Sequence, residues 1–171
     1  SSANTSYFHN SINGYHAAKL KRFQEYFDFL SFHDNQKLFN TLNVKYIIGK
    51  DENNQDQLYQ NPDAYGNAWA VDSLVLIDNY DNLLDQMKDA NLREVGFVLD
   101  KSLPIETSRN YNSSDLIKIE KIKNSSSHIS YNFASLSEQL LVFSEIYYPS
   151  GWQVYLNGEK TNYFDINYLL R

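Results

Sequence analysis

The chain has 171 residues and a mass of 20.0 kDa, long enough to bury a core of its own. Hydrophobic residues make up 42%, which excludes a disordered chain, and the absence of cysteine excludes disulfides, thiolate metal sites and cysteine nucleophiles. A net charge of −6 argues against nucleic acid as a partner, because phosphate binding needs a basic face.

Leu20, Phe23, Phe27 and Leu30 recur at spacings of three and four, so they predict one apolar face of an amphipathic helix that starts near Gly14. A second short helix is predicted from Asp34, a good N-cap, through Leu38, Phe39 and Leu42. Val44 to Gly49 is β-branched, apolar and closed by glycine, which predicts a buried strand. The polar stretch 50–66, rich in Asn, Asp and Gln, reads as a surface loop. A strand is predicted over Ala70 to Ile77, followed by a helix capped by Asp78 or Asn79 that buries Leu83, Leu84, Met87 and Ala90. A second strand follows over Glu94 to Leu99. Strand, helix and strand over some thirty residues form a βαβ unit, which predicts a parallel pair.

The texture changes after Asp100. Residues 117–123 and 128–134 alternate apolar and polar side chains, and three further strand-like stretches follow up to Leu170. The fold class expected is α+β: N-terminal helices, a small βαβ unit, then an antiparallel β meander or half-sandwich. The expected organisation is a helical and βαβ part over 1–100 and an antiparallel β part over 101–171, together one compact domain. The start without Met and the apolar end at Leu169, Leu170 and Arg171 lead us to expect a piece excised from a longer protein.

Enzyme motifs are negative. No glycine-rich phosphate loop and no G-x-S-x-G elbow occur. His9, His16, His33 and His128 lack metal-binding spacing, and the Asp51–Asp56 stretch lacks the glycine and the terminal Glu of an EF-hand. No metal, cofactor or catalytic residue is therefore expected. Two groups remain as candidates for substrate contact. At the front, Tyr7, His9, Tyr15, His16, Lys19 and Arg22 combine rings that stack or hydrogen-bond with cations that meet a phosphate or carboxylate. Near the end, Tyr147 and Trp152 flank a turn carrying Pro149 and Gly151, an arrangement suited to a sugar-stacking platform or to the end of a β core. Phe23, Phe27, Phe97, Phe133 and Phe143 are expected in the core. Asn4, Asn112 and Asn124 fit N-x-[ST], a pattern frequent by chance in a chain this rich in Asn and Ser.

Four ordered segments, Ser6–Phe29 (SYFHNSINGYHAAKLKRFQEYFDF), Phe39–Gly49 (FNTLNVKYIIG), Asn61–Val71 (NPDAYGNAWAV) and Leu140–Arg171, together resemble the extracytoplasmic C-terminal region of YfhO-like bacterial membrane proteins. The resemblance is weak across 100–135. It implies a multi-pass parent similar to glycosyltransferases that use lipid-linked sugars, with the catalytic carboxylate in a loop outside this chain. This chain would then be a non-catalytic accessory domain, outside the cytoplasm and tethered through flanking membrane helices. Its implied partners are the membrane part of the parent and a cell-envelope glycan or lipid-linked sugar. The alternatives are a stand-alone extracytoplasmic glycan-binding or surface module, read from the aromatic surface, and a hydrolase using loop carboxylates, which no motif supports.

Overall fold

A computed structural model of the chain describes residues 11–12, 20–33, 35–99 and 109–171. The fold is α+β with a β-rich C-terminal part, and it divides into two compact units, Ser1–Ala64 and Tyr65–Arg171. The βαβ unit therefore belongs with the strands that follow it, although the sequence changes texture at residue 100.

In the first unit, helix α1 (Lys21–His33) precedes helix α2 (Gln36–Thr41). The face that α1 buries is rotated from the predicted one. Tyr26 and Leu30 are fully buried, Leu20 is exposed, and Phe23 and Phe27 stack half-buried with centroids 6.2 Å apart. The cause is the Tyr26 hydroxyl, which lies 2.9 Å from Thr41 Oγ1 and donates to the Leu38 carbonyl at 3.3 Å. With its polar tip satisfied, the tyrosine is a large apolar body that can be sealed inside. The α2 cap is Asn35, whose side chain accepts from Leu38 N–H at 3.3 Å. Asp34, the expected cap, lies outside the described residues.

Strand β1 (Tyr46–Lys50) is half-exposed, not buried, and the segment expected as loop supplies its partner, β2 (Asp56–Gln60). Asp51 makes this hairpin. One of its carboxylate oxygens accepts from the N–H groups of Asn53 at 2.9 Å and Gln55 at 2.8 Å, and Asn54 takes a left-handed conformation. Asn61 anchors the hairpin to α2, donating to Asn40 Oδ1 at 2.8 Å and to the Val44 carbonyl at 2.7 Å.

In the second unit, the strand expected over 70–77 is two strands, β3 (Ala68–Val71) and β4 (Ser73–Ile77). Asp72 divides them. Its N–H donates to the Glu94 carbonyl at 2.7 Å, its carbonyl accepts from Tyr111 N–H at 2.7 Å, and its carboxylate accepts from Ser113 N–H at 2.6 Å. Here the chain leaves one ladder for another: β3 pairs antiparallel with β8 (Leu140–Phe143), while β4 pairs parallel with β5 (Val95–Leu99). Helix α3 (Leu83–Asp89) joins β4 to β5 and buries Leu83 and Met87 fully, with Leu84 and Ala90 half-buried. It starts later than expected, because the Asn79 side chain holds a turn by accepting from Asp81 N–H at 2.8 Å.

The C-terminal strands pair as hairpins and not as one consecutive run. Strand β6 (Leu116–Asn124) pairs with β7 (Ile129–Ser135), and β9 (Val154–Leu156) pairs with β10 (Glu159–Thr161) across Asn157 and Gly158, both at positive φ as a type I′ turn demands. Two register shifts in β6 turn Ile117 and Ile122 outward, so its alternation in sequence does not give one buried face. Phe97 is buried as expected, whereas Phe143 is half-buried and Phe133 exposed.

The last stretch, expected as a strand, is a buried turn. Residues 165–170 are all buried, and Asn167 and Tyr168 both have positive φ. Asn167 imitates a neighbouring strand: its N–H donates to the Phe97 carbonyl at 2.8 Å, and its Oδ1 accepts from Phe97 N–H at 2.9 Å. Beside it, Ile166 fills the space that Gly96 leaves open; a Cβ at Gly96 would meet Ile166 Cδ1 at 2.4 Å. Gly96→Ala is thus expected to cost about 1–3 kcal/mol of stability. Ile166→Val, which removes that methyl, makes the same change cheaper. A double-mutant cycle by urea unfolding measures this coupling, and additive costs would contradict the contact.

Candidate functional site

Of the front cluster, Tyr7, His9, Tyr15, His16 and Lys19 lie outside the described residues; Arg22 is half-buried on α1 in the first unit. Tyr147 and Trp152 lie in the second unit and are brought together. The chain reverses between them, with the Tyr148 carbonyl accepting from the N–H groups of both Gly151 and Trp152 at 3.1 Å. Tyr163 then links the Tyr147 ring to the Trp152 main chain. It meets Tyr147 edge-on at 5.2 Å, and its hydroxyl donates to the Trp152 carbonyl at 3.0 Å. Both named rings are half-buried, so each is held firmly and presents part of its surface.

Sequence reasoning missed several members of this patch. Tyr148 is its most exposed ring, at 46%. A Cβ on Gly151 would lie 2.4 Å from the Tyr148 ring, so the ring packs across the glycine and needs a residue without a side chain there. Arg171 places its guanidinium 4.9 Å over the Trp152 ring, a cation–π distance. Its main chain is fixed, because the Arg171 carbonyl accepts from Phe143 N–H at 2.6 Å. The aromatic letters in 147–152 were legible; that residues 163 and 171 return to them is a property of the buried turn.

A charged group adjoins the aromatic one. Lys121 Nζ lies 2.5 Å from Glu145 Oε1, with the two side chains 15% and 23% exposed. The Tyr131 hydroxyl donates to the same oxygen at 3.3 Å, and the Tyr131 ring meets Phe143 edge-on at 4.8 Å. Lys121 and Tyr131 are directly opposed on β6 and β7, which puts the ammonium 5.6 Å from the ring centre. Burial, and after it the charge and hydrogen bond of Glu145, push the Tyr131 hydroxyl well above the usual tyrosine range, while the Arg171 charge works the other way. Phe143 links this group to Arg171: its ring meets Tyr131, and its N–H donates to the Arg171 carbonyl.

A groove of about 370 Å³ lies beside β3, lined by Ala68, Trp69, Ala70, Arg93 and Glu94 among others. It presents no stacking face, since Trp69 is 6% exposed and its indole N–H donates to the Leu92 carbonyl at 3.0 Å. Among the described residues no group of three His, Asp or Glu side chains is placed to hold a metal ion, and no helix is long and apolar enough to cross a membrane. No family model, curated protein or solved structure matches the chain.

The raised Tyr131 ionisation links stability to pH. In the unfolded chain the hydroxyl ionises near about pH 10; in the folded chain it remains protonated to higher pH. The stabilisation this confers is complete below the unfolded value and is lost as pH climbs beyond it. Tyr131→Phe is therefore expected to flatten the fall of unfolding free energy above about pH 10. Denaturant titrations at stepped pH report it, and equal slopes for the two proteins would count against the buried phenol.

Proposed function

We propose that this chain is a non-catalytic extracytoplasmic accessory domain of a YfhO-like membrane protein implicated in glycosyl transfer to cell-envelope polymers, and that its Tyr147–Trp152 turn contacts the acceptor glycan. The observation that carries the glycan role is the fixed, partly exposed aromatic turn. Sugars present C–H faces that stack on rings and hydroxyls that need nearby polar groups, and this turn offers rings with the Arg171 guanidinium over Trp152. Tyr147 packs edge-on against Tyr163 and Tyr148 packs across Gly151 before any ligand arrives, so these two rings have little side-chain entropy left to lose on binding. The membrane setting rests on the four resembling segments alone. In that setting the lipid-linked sugar belongs to the membrane part of the parent, and the front cluster with Lys19 and Arg22 is a second contact.

The reading frame upstream of Ser1 is the first test: about ten hydrophobic spans, each near the length a bilayer demands, are expected, whereas a signal peptide alone favours a stand-alone glycan-binding module. In the parent, Tyr148→Ala combined with Trp152→Ala is expected to lower sugar transfer roughly tenfold or more, with the domain still folded by circular dichroism. Unchanged transfer in a folded double variant would remove the turn from substrate contact.

A further inference from the structure

We infer that Arg171, held over Trp152 of the aromatic turn, forms a subsite for the carboxylate of an acidic sugar. This names the ligand class of the aromatic turn and rests on its glycan-contact role.

The guanidinium is the part of the patch prepared for a ligand. It sits 4.9 Å over the indole, and among the described residues no hydrogen bond or ion pair engages its N–H donors. A guanidinium fork is planar and presents paired N–H groups that match the two oxygens of a carboxylate. Its position is set from both ends: the Arg171 main chain is tied to Phe143 at 2.6 Å, and the Trp152 main chain accepts from Tyr163 at 3.0 Å. The other cation, Lys121, already has a carboxylate at 2.5 Å, so Arg171 is the one that can take an incoming anion.

The same patch limits how much negative charge the ligand carries. Lys121 and Glu145 neutralise each other, which leaves the single charge of the guanidinium for an anion, on a chain whose net charge is −6. A carboxylate brings one negative charge and balances it. A phosphate monoester brings nearly two at neutral pH and meets the negative field of the whole chain uncompensated. The exposed Tyr148 ring, on the same turn as Trp152, gives the sugar ring a surface beside the charged group.

Calorimetric or NMR titration of the 171-residue chain with methyl β-D-glucuronide, methyl β-D-glucoside and glucose 1-phosphate tests this. The glucuronide is expected to bind about tenfold more tightly than the glucoside and more tightly than glucose 1-phosphate, with the preference shrinking at about 0.5 M NaCl. Arg171→Gln is expected to abolish the preference for glucuronide over glucoside. Arg171→Lys, which keeps the charge and loses the fork, retains only part of it. Tyr148→Ala weakens both methyl glycosides alike. Equal affinity of wild type for glucuronide and glucoside, or a preference that survives in Arg171→Gln, overturns the subsite and leaves the glycan role standing. Tighter binding of glucose 1-phosphate overturns the carboxylate assignment. Binding of none of the three overturns the subsite and the glycan role together.

Discussion

The second unit depends on a six-residue turn at the end of the chain. Residues 165–170 lie inside it, and their main chain completes strands that otherwise lack partners. Asn167 supplies both a donor and an acceptor to Phe97 on the outer side of β5. Leu169 accepts from Tyr147 N–H at 2.8 Å, Leu170 bridges to Ile146, and Arg171 accepts from Phe143 on the outer side of β8. Among the described residues the ladders are all two-stranded, and an isolated two-stranded ladder is marginal in water. Each buried N–H left unpaired costs roughly 1–3 kcal/mol, so the turn satisfies several groups whose exposure or orphaning would otherwise oppose folding. Its own cost is visible in the left-handed conformation of Asn167 and Tyr168. Asparagine tolerates that region, but tyrosine does not without compensation. The compensation is packing: the Tyr168 ring meets Tyr80 edge-on at 5.6 Å, and the Tyr80 hydroxyl donates to Asp165.

The same turn builds the candidate site. By fixing the main chain from Asp165 to Arg171 it decides where Arg171 emerges, and by holding Tyr147 N–H it decides how the aromatic turn begins. The candidate site and core closure thus share one element seen from its two sides. The patch lies on loops, and these are backed by a buried segment whose main chain is bonded to Phe97 and Tyr147. Only Lys121, Tyr131 and Glu145 come from elsewhere, from β6, from β7 and from just beyond β8, and Phe143 is their link to the turn, through its N–H to Arg171 and through its ring to Tyr131.

What could be read from the letters follows from how local the cause is. The βαβ unit was legible because two apolar runs and an intervening helical pattern of Leu83, Leu84 and Met87 each carry their own periodicity. The break at Asp72 was not, since it depends on partners at 94, 111 and 113 that no window of sequence contains. The polar stretch 50–66 concealed β2 because its turn chemistry resides in Asp51 and its strand has five exposed residues, with no hydrophobic pattern to announce it. The final stretch misled in the opposite sense. Continuous burial gives a run of apolar letters whether the chain is extended or folded back on itself, and Asn167 was the one letter that distinguished them. Tyr147 and Trp152 were found at the site because proximity in sequence happened to coincide with proximity in space. Tyr163 and Arg171 were not found, because they arrive by way of the buried turn.

The aromatic load acquires a physical division of labour from this arrangement. Tyr26 and Trp69 are almost wholly buried, and each satisfies its polar atom with a main-chain carbonyl: Tyr26 through its hydroxyl to Leu38, Trp69 through its indole to Leu92. They are core residues whose polar tips have been closed off. Tyr147, Tyr148, Trp152 and Tyr163 are instead paired with one another, with a glycine or with a cation, and keep surface toward solvent. A ring held by neighbours and still partly wet has given up its conformational freedom before meeting anything, and its remaining apolar face stays hydrated. Those are the two conditions under which contact with a flat, weakly amphipathic ligand costs little and releases water. The pattern of partners, more than the number of rings, therefore separates the candidate site from the core in this chain.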